Sequence, residues 1–481
     1  MDDHRLPAER LRRRMDPASL GFKSTEELPP LKATLGQERA VEALQFGVGV
    51  DSPGYNLFVT GLSGSGRTST VRAFLATAAA TRPAPDDWLH IHNFEQPDRP
   101  KALHLPAGRG RELAADMDAF IVQARRQITR AFDTERYAER RRQLAAELTA
   151  RRDPILEELA KFARERSFGI EATRSGMIAV PTSGDRPLTQ EEIQRLPESE
   201  QNDLERRGVE VQTQIGTTFR RLSQLEREGS ELLIKLDREI AAFAIEPLLQ
   251  DLREKYAAHK EVVDHLDRIG EDVPDHLPDF RQTGPESGGS EPTSPLEAAF
   301  ASDHTNRYRA NLIVDNAGLT GAPVTLETNP TYYNLVGRIE YRATFGTMVT
   351  DFRQIKSGAL ARANGGFLIL EAADVLRSPF AWDAMMRALT TRQVRIENLG
   401  EQYSALPTGS LAPTPIPLRL KVILLGTPLL YQLLHQLDDE FREMFKVRVD
   451  FAPSVEWSDQ STGALASFVS GYVTEGNLRH F

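Results

Sequence analysis

The sequence contains no cysteine among its 481 residues. This absence excludes disulfides, thiolate zinc sites, iron–sulfur clusters and a cysteine nucleophile, and it leaves no signature of secretion. Long hydrophobic runs are also missing, since no stretch approaches the roughly 18 consecutive apolar residues of a membrane span. The basic N-terminal segment is not followed by the apolar stretch of a signal peptide. We therefore expect a cytoplasmic protein without a membrane partner.

An excess of positive charge is lacking too, because 59 Lys and Arg residues stand against 69 Asp and Glu residues, which gives a net charge of −10. Proteins that coat nucleic acid or anionic membranes need a net basic surface. The charge therefore argues against nucleic acid as a partner, although it leaves room for a local basic patch. The length of 481 residues suggests about three domains of roughly 150 residues each.

The composition changes along the chain. After an N-terminal extension at residues 1–30, residues 31–107 mix helical periodicity with short β-rich runs such as YNLFVTG. Residues 108–280 are highly charged and place apolar residues three, four or seven apart, which predicts helical hairpins or a coiled coil. Residues 301–455 alternate strand-like and helical segments again. We therefore predict an α/β domain that is interrupted by a long helical insertion.

Two shorter segments differ in composition from the regions around them. Residues 281–300 have the Gly, Ser, Pro and Glu composition of a flexible linker. Within the insertion, strand-like runs flank Ser175-Gly176, which is a hairpin signal. Thr189 and Glu192 then match a capping box that restarts the helix. These patterns predict a small β tip on the helical insertion.

The most specific motif is GLSGSGRT at residues 61–68, between the apolar run NLFVT and a helical segment. A Walker A loop needs glycines, a helix N-terminus, a cation and a hydroxyl that binds Mg²⁺. Thr68 supplies the hydroxyl, whereas Arg67 replaces the usual lysine and keeps its charge without its compact geometry. The alternative is a glycine-rich turn that binds nothing. The predicted nucleotide-binding residues are Gly61, Ser63, Gly64, Ser65, Gly66, Arg67, Thr68 and Ser69.

A second apolar strand, FLILE, ends in Glu371. P-loop ATPases hold hydrated Mg²⁺ through a carboxylate at this place and usually orient the attacking water with the next residue, a glutamate. Glu371 is therefore the predicted metal-side and catalytic carboxylate, but Ala372 occupies the water-orienting position. We expect slow or absent hydrolysis unless another carboxylate substitutes, and Asp374 is the nearest. Alternatively, Glu371 only caps a helix or pairs with an arginine.

Two later positions are weaker candidates. Thr427 follows the apolar strand LKVILLG, where a polar side chain can sense the γ-phosphate, although a threonine at a strand end is common. Arg442 is the candidate for an arginine finger that reaches the nucleotide of a neighbouring subunit. An ordinary solvated arginine is the alternative for this position.

Several blocks together resemble the AAA+ region of Lon-related ATP-dependent proteases of bacteria, of the Lon B-type lineage. These blocks are LGQERAVEALQFGV, GLSGSGRT, RPKALHLPAGRGREL, NPTYYNLVGRIEY and TDFRQIKSGALARANGGFLIL. The resemblance covers nearly the whole chain. It implies a P-loop AAA+ domain of three αβα layers with ATP and Mg²⁺ as ligands, a homo-hexameric ring, and unfolded or damaged proteins as substrates.

The same resemblance assigns roles to residues. It implies phosphate contacts by the glycines of residues 61–66, Arg67 and Thr68, a metal-side role for Glu371 and a sensing role for Thr427. Members of the family also tend to carry arginine in this loop and a degraded acidic motif. In Lon-type rings an aromatic or aliphatic residue before a glycine grips the substrate, and Leu335-Val336-Gly337 is the nearest candidate, with core packing as the alternative.

The resemblance also bears on what the sequence lacks. Residues 456–481 look like the opening of a truncated helical lid, and complete relatives continue into a Ser-Lys protease domain. No nucleophile block with a downstream lysine is found, and a hydroxyl without an activating base is a poor nucleophile. We therefore expect no peptidase activity from this chain alone.

The sequence thus predicts an ATP-binding AAA+ module that unfolds polypeptide or delivers it to a protease domain. A nucleotide-binding ring scaffold without hydrolysis is the first alternative, and Arg67 and Ala372 favour it. A DNA-associated AAA+ remodeller is the second alternative, because strands introduced by ANGG also occur in helicase-like relatives. The net charge of −10 argues against that second alternative.

Overall fold

The computed structural model describes residues 6–7, 11, 15, 17–31, 36–62, 64–173, 176–184, 186–281, 304–344, 347–399 and 411–481. Ser63 and residues 282–300 of the predicted linker lie outside these ranges. The packing divides the chain into two compact units. The first combines Met1–Ala115 with Arg309–Phe481, and the second comprises Asp116–Tyr308.

Strands and helices alternate along most of the described chain. In chain order, the strands are β1 (Leu57–Thr60), β2 (Asp87–Ile91), β3 (Lys101–Leu105), β4 (Phe168–Thr173), β5 (Gly176–Ser183), β6 (Arg186–Pro187), β7 (Ala310–Val314), β8 (Val324–Glu327), β9 (Gly337–Ile339), β10 (Arg342–Thr344), β11 (Thr347–Val349), β12 (Ile355–Ser357), β13 (Phe367–Glu371), β14 (Gln393–Val394), β15 (Ile416–Pro417), β16 (Lys421–Gly426) and β17 (Val447–Asp450). The helices are α1 (Glu38–Gly49), α2 (Arg67–Ala80), α3 (Arg109–Phe132), α4 (Glu135–Arg164), α5 (Gln190–Gln194), α6 (Glu198–Lys255), α7 (Lys260–Asp272), α8 (Leu277–Arg281), α9 (Tyr332–Val336), α10 (Ala359–Arg362), α11 (Ala372–Arg377), α12 (Ala381–Thr391), α13 (Pro428–Leu437), α14 (Asp439–Met444) and α15 (Asp459–Glu475).

Five parallel strands form the central sheet of the first unit, in the order β17-β1-β16-β13-β8. The strand that precedes the glycine-rich loop, β1, therefore lies between β17 and β16. The strand that carries Glu371, β13, is the other neighbour of β16. Because all five strands are parallel, their carboxyl ends lie at one edge of the sheet, and the segments that follow β1, β13 and β16 meet there. A separate antiparallel sheet pairs β3, β2 and β7.

Apolar side chains cover both faces of the central sheet, as expected for buried parallel strands. The side chains on one face, which pack with α12 and its neighbours, are Phe58, Leu368, Leu370, Val422 and Leu424. Those on the other face, which pack with α1 and α2, are Leu57, Val59, Phe367, Ile369, Ile423 and Leu425. Full burial of each such side chain stabilises the fold by about 1.5–3 kcal/mol. The predicted α/β fold with three αβα layers is confirmed.

The second unit is built around two long helices, α4 and α6, that run antiparallel. Near one end Tyr137 Oη donates a hydrogen bond to Asp237 at 2.8 Å. Towards the other end Arg166 Nε lies 3.1 Å from Glu210. The two helices are joined through the hairpin of β4 and β5, and apolar side chains of both helices pack against this hairpin. The predicted helical insertion with a β tip is thus confirmed.

Two local sequence patterns in the helical part of the chain also agree with the structure. Thr189 caps α5, and Glu192 completes the capping box by accepting a hydrogen bond from the backbone N–H of Thr189. On α3, the predicted apolar seam is buried throughout, and its residues are Leu113, Met117, Phe120, Ala124, Ile128 and Phe132. Among the described helices, none combines the length and the apolar character that crossing a membrane requires.

Candidate nucleotide-binding site

The glycine-rich loop connects the end of β1 to the start of α2 at the carboxyl edge of the sheet. Gly64 and Gly66 adopt left-handed φ angles of 82° and 76°, which glycine tolerates without a steric penalty. At Gly61 the packing is tight, because an added Cβ would lie 2.9 Å from Ser65 Oγ and 3.1 Å from Phe451 Cβ. At Gly64 an added Cβ would meet nothing within 4 Å. The loop is therefore compact at its base and open at Gly64.

Several polar groups of this loop fit a phosphate ligand. Helix α2 has 14 residues, and its N-cap, Gly66, provides no side chain to bond the first backbone N–H groups. An uncapped helix N-terminus carries partial positive charge and orients these N–H groups towards an anion. Ser65 Oγ is buried and has no hydrogen-bond partner among the described residues. The half-buried Thr68 hydroxyl likewise has no partner within the described ranges, so both hydroxyls are available to phosphate oxygens or Mg²⁺.

The guanidinium of Arg67 is directed at the ends of three strands. Its Nη1 donates hydrogen bonds to the carbonyls of Gly61 at 3.0 Å and Gly426 at 2.6 Å. Its Nη2 lies 2.5 Å from Glu371 Oε1. Arginine carries five N–H donors, so three are used in these contacts, and the structure shows no partner for the other two among the described residues. Arg67 thus links β1, β16 and β13 at the edge where the loop lies.

Glu371 is the last residue of β13 and its side chain is 39% exposed, whereas that of Arg67 is 14% exposed. This ion pair agrees with the alternative interpretation of Glu371, in which its carboxylate pairs with an arginine. The remaining oxygen of Glu371 and the hydroxyl of Thr68 are still the groups that fit Mg²⁺. No group of three or more metal-binding side chains is present among the described residues. Mg²⁺ usually takes one or two protein oxygens, several waters and substrate phosphates.

The residue after Glu371 is buried. Ala372 has no exposed surface and packs in the apolar cluster on one face of the sheet. Asp374, the predicted substitute for a water-orienting glutamate, lies on α11 and pairs with Arg377 at 3.1 Å. Among the described residues, neither side chain has a hydrogen bond or ion pair with Arg67 or Thr68.

The remaining site candidates have local partners. Ser69 Oγ donates to the carbonyl of Gly66 at 2.9 Å. Thr427 is the N-cap of α13 and accepts a hydrogen bond from the N–H of Leu430 at 3.2 Å. It follows β16 directly and so belongs to the same edge as the loop. Arg442 is exposed on α14, where it pairs with Asp439. Its role as a finger towards another subunit stays a prediction.

The candidate for gripping substrate is part of the core. Leu335 is fully buried and Val336 nearly so, and both belong to the main apolar cluster. The structure thus supports core packing, the alternative for these residues. An aromatic–glycine pair, Phe345-Gly346, separates β10 from β11 in the sequence and lies outside the described residues.

A strand, a glycine-rich loop and a helix N-terminus at the carboxyl edge of a parallel αβα sheet, with a carboxylate on a nearby strand, define a P-loop nucleotide-binding domain of the AAA+ class. Residues 320–452 match the family model described as "LonB-like, AAA domain". Residues 87–120 match the model described as "Lon-like LonC helical domain". The chain therefore contains a Lon-related AAA+ region, and the AAA domain family implies nucleotide binding.

Other comparisons add nothing to this assignment. A search of curated proteins finds no match. A solved structure of NtrX from Brucella abortus is 20% identical over 27% of this chain, with a TM-score of 0.19. This chain spans 27% of that NtrX chain. So low a score carries no argument about fold or function.

Proposed function

We propose that this chain is the ATP-binding module of a Lon-type, ATP-dependent proteolytic machine in the cytoplasm. It binds ATP with Mg²⁺, assembles into a homo-hexameric ring, and unfolds damaged polypeptide or delivers it to a protease domain. The observation that carries the proposal is the loop after β1, which has two left-handed glycines, open space at Gly64 and an uncapped helix N-terminus. This geometry suits a triphosphate, because its oxygens accept hydrogen bonds from backbone N–H groups.

Each residue of the site has its own proposed role. The backbone of residues 61–68 and Ser65 Oγ bind phosphate oxygens, while Thr68 and Glu371 bind Mg²⁺. Mg²⁺, when bound with ATP, would neutralise charge on the phosphates. Arg67 holds Glu371 and the carbonyls of Gly61 and Gly426 in place, and its two remaining donors are available to the nucleotide. Thr427 sits at the same edge and is the residue we assign to sensing.

A second function is favoured by a specific observation. Glu371 is bonded to Arg67, and a buried alanine, Ala372, stands where the water-orienting glutamate is usual, so neither position offers an unpaired carboxylate to an attacking water. A module of this kind binds ATP tightly and turns it over slowly or not at all. In that case the nucleotide stabilises the ring as a scaffold instead of driving a motor.

The experiment is calorimetric titration of the purified chain with ATP and ADP in the presence of Mg²⁺. We expect saturable binding to the wild-type chain and about tenfold or greater loss of Mg²⁺-dependent affinity in Thr68→Ala, because the metal-binding hydroxyl is removed. The matched control is Thr77→Ala on the same helix, since the Thr77 hydroxyl bonds, among the described residues, only to the carbonyl of Ala73. An absence of binding heat for folded wild-type protein would refute both candidate functions.

Steady-state phosphate release then separates the two candidates. Turnover that disappears in Thr68→Ala and persists in Thr77→Ala supports the motor. Tight ATP binding with no turnover in the wild-type chain, together with a ring that forms only with nucleotide, supports the scaffold. Size-exclusion chromatography with light scattering measures the ring under both conditions.

A further inference from the structure

A second polar cavity lies in the first unit, at the edge of the central sheet opposite the glycine-rich loop. It has a volume of about 210 Å³, many times the roughly 10–15 Å³ that one water molecule needs. Its walls come from the segment before β1, the residue before β13, the segment leading into β16, and the end of α12. Because β1, β13 and β16 are parallel, this is the edge at which all three strands begin.

Four cationic side chains line this cavity, namely Arg82, Arg392, Arg419 and Lys421. The one carboxylate in its lining is Asp51, which is exposed. Among the described residues, none of the four cations has a carboxylate oxygen within 4.0 Å. The cavity therefore concentrates positive charge in a chain whose net charge is −10.

Lys421 is the most informative of these residues. It is 7% exposed, and its Nζ donates a hydrogen bond to the carbonyl of Tyr55 at 3.1 Å. An ammonium group has three donors, and the structure provides Nζ with this one partner among the described residues. Burial lowers the pKa of Lys421, Asp51 opposes that shift, and the charge of Arg82 adds to it. A buried cation without a counterion is costly, and an anion in the cavity would remove that cost.

Part of this charge has a structural explanation. Arg82 donates to the carbonyl of Val48 in the last turn of α1 at 2.9 Å, and its guanidinium stacks on Phe367 at 4.7 Å. Arg392 is the C-cap of α12, where a cation complements the helix dipole. Arg419 and Lys421 have no such structural role, because neither residue caps a helix. Arg419 precedes strand β16, and Lys421 is its first residue.

We propose that this cavity binds a multivalent oxyanion, either a phosphate group or a polycarboxylate, through Arg392, Arg419 and Lys421. Guanidinium groups match the paired oxygens of both anions, and the ammonium of Lys421 supplies a point charge from the cavity wall. The site is separate from the loop of residues 61–68 and does not depend on nucleotide binding there. Its ligand reaches the sheet from the edge where the strands begin.

The test measures thermal stabilisation and calorimetric binding with inorganic phosphate and with citrate, against chloride at equal ionic strength. A ligand that binds the folded state raises the melting temperature in a concentration-dependent way. We expect stabilisation of the wild-type chain by at least one of the two anions. The double variant Arg392→Gln/Arg419→Gln should bind that anion about tenfold or more weakly. Both side chains are exposed, so this variant keeps the buried Lys421 and its contact with Tyr55.

Two controls make the result specific. Arg395→Gln removes an exposed arginine that lies outside the cavity lining and should bind the anion as the wild-type chain does. Thr77→Ala on α2 also lies outside the cavity lining and should leave this binding unchanged. The proposal is overturned if neither anion stabilises the wild-type chain more than chloride, or if the double variant binds with unchanged affinity.

Discussion

Arg67 and Glu371 are bonded to each other at 2.5 Å, although they are 304 residues apart in the sequence. They occupy the two positions that the sequence predicts for the phosphate-binding cation and the metal-side carboxylate. Each therefore neutralises part of the charge that the other would offer to Mg·ATP. Since Arg67 also bonds to the carbonyls of Gly61 and Gly426, it fixes the base of the loop. We infer that ligand binding at this edge competes with an internal ion pair.

The first prediction concerns that competition. In Glu371→Gln the carboxylate that holds Arg67 loses its charge, so we expect ATP without Mg²⁺ to bind about three- to tenfold more tightly. Binding of Mg·ATP should gain less, because the variant also loses a metal-side oxygen. Calorimetric titration with and without Mg²⁺ measures both effects. The control is Glu327→Gln at the end of β8, where Glu327 pairs with Arg362 instead. Equal Mg²⁺-free affinities in all three proteins would show that the ion pair does not restrain Arg67.

A second prediction concerns the missing water-orienting glutamate. Because Ala372 is fully buried in the core, Ala372→Glu would force a carboxylate into an apolar cluster. We expect a loss of about 2 kcal/mol or more in the free energy of unfolding and no gain in phosphate release. Urea denaturation and a phosphate-release assay measure the two quantities. Ala76→Glu at an exposed position of α2 should be nearly neutral. A stable, hydrolytically active Ala372→Glu protein would contradict the structural explanation.

The parts of this molecule that the sequence predicted are those with a local signature. Strands such as β1 and β13 are continuous apolar runs because helices cover both faces of the sheet, and this pattern is visible without a structure. The capping box at Thr189 and the apolar seam of α3 are local in the same sense. The left-handed φ angles of Gly64 and Gly66 could also be expected, because the phosphate-loop motif places glycine where the backbone needs this conformation.

The parts that could not be predicted depend on which strands are neighbours. Arg67 meets Glu371 because β1 and β13 both flank β16, and no local pattern encodes that order. The cationic cavity assembles from segments that are widely separated in the chain. Leu335 and Val336 lie on a helix of five residues, which is too short for periodicity to separate a core position from an exposed one.

The third prediction tests the core role of Leu335. Leu335→Ala removes a fully buried side chain, so we expect a loss of about 2–5 kcal/mol in the free energy of unfolding. The matched variant Tyr333→Ala lies on the same helix at a position that is 38% exposed, and it should cost clearly less. Chemical denaturation of both variants gives the comparison. If Leu335→Ala kept wild-type stability but lost binding of unfolded polypeptide, the role in gripping substrate would be restored.

The last prediction follows from a buried histidine. His90 on β2 has no exposed surface, and burial lowers its pKa from 6.5 to about 4, while the nearby backbone of Thr414 acts in the opposite direction. In the unfolded chain the imidazole titrates near 6.5, so the unfolded state binds this proton first as the pH falls. The contribution of His90 to stability is therefore complete above pH 6.5 and is lost progressively down to about pH 4. Its size is about 3 kcal/mol, since one pKa unit corresponds to about 1.4 kcal/mol.

The measurement is the free energy of unfolding of the wild-type chain and of His90→Gln between pH 7 and pH 4. Carboxylates titrate in both proteins, so the difference between the two curves isolates His90. We expect the wild-type chain to lose about 3 kcal/mol more than His90→Gln on acidification. His104→Gln serves as the control, because His104 is half exposed on the neighbouring strand and pairs with Asp86. Parallel curves for the wild-type chain and His90→Gln would mean that His90 does not stay neutral in the folded protein as the pH falls.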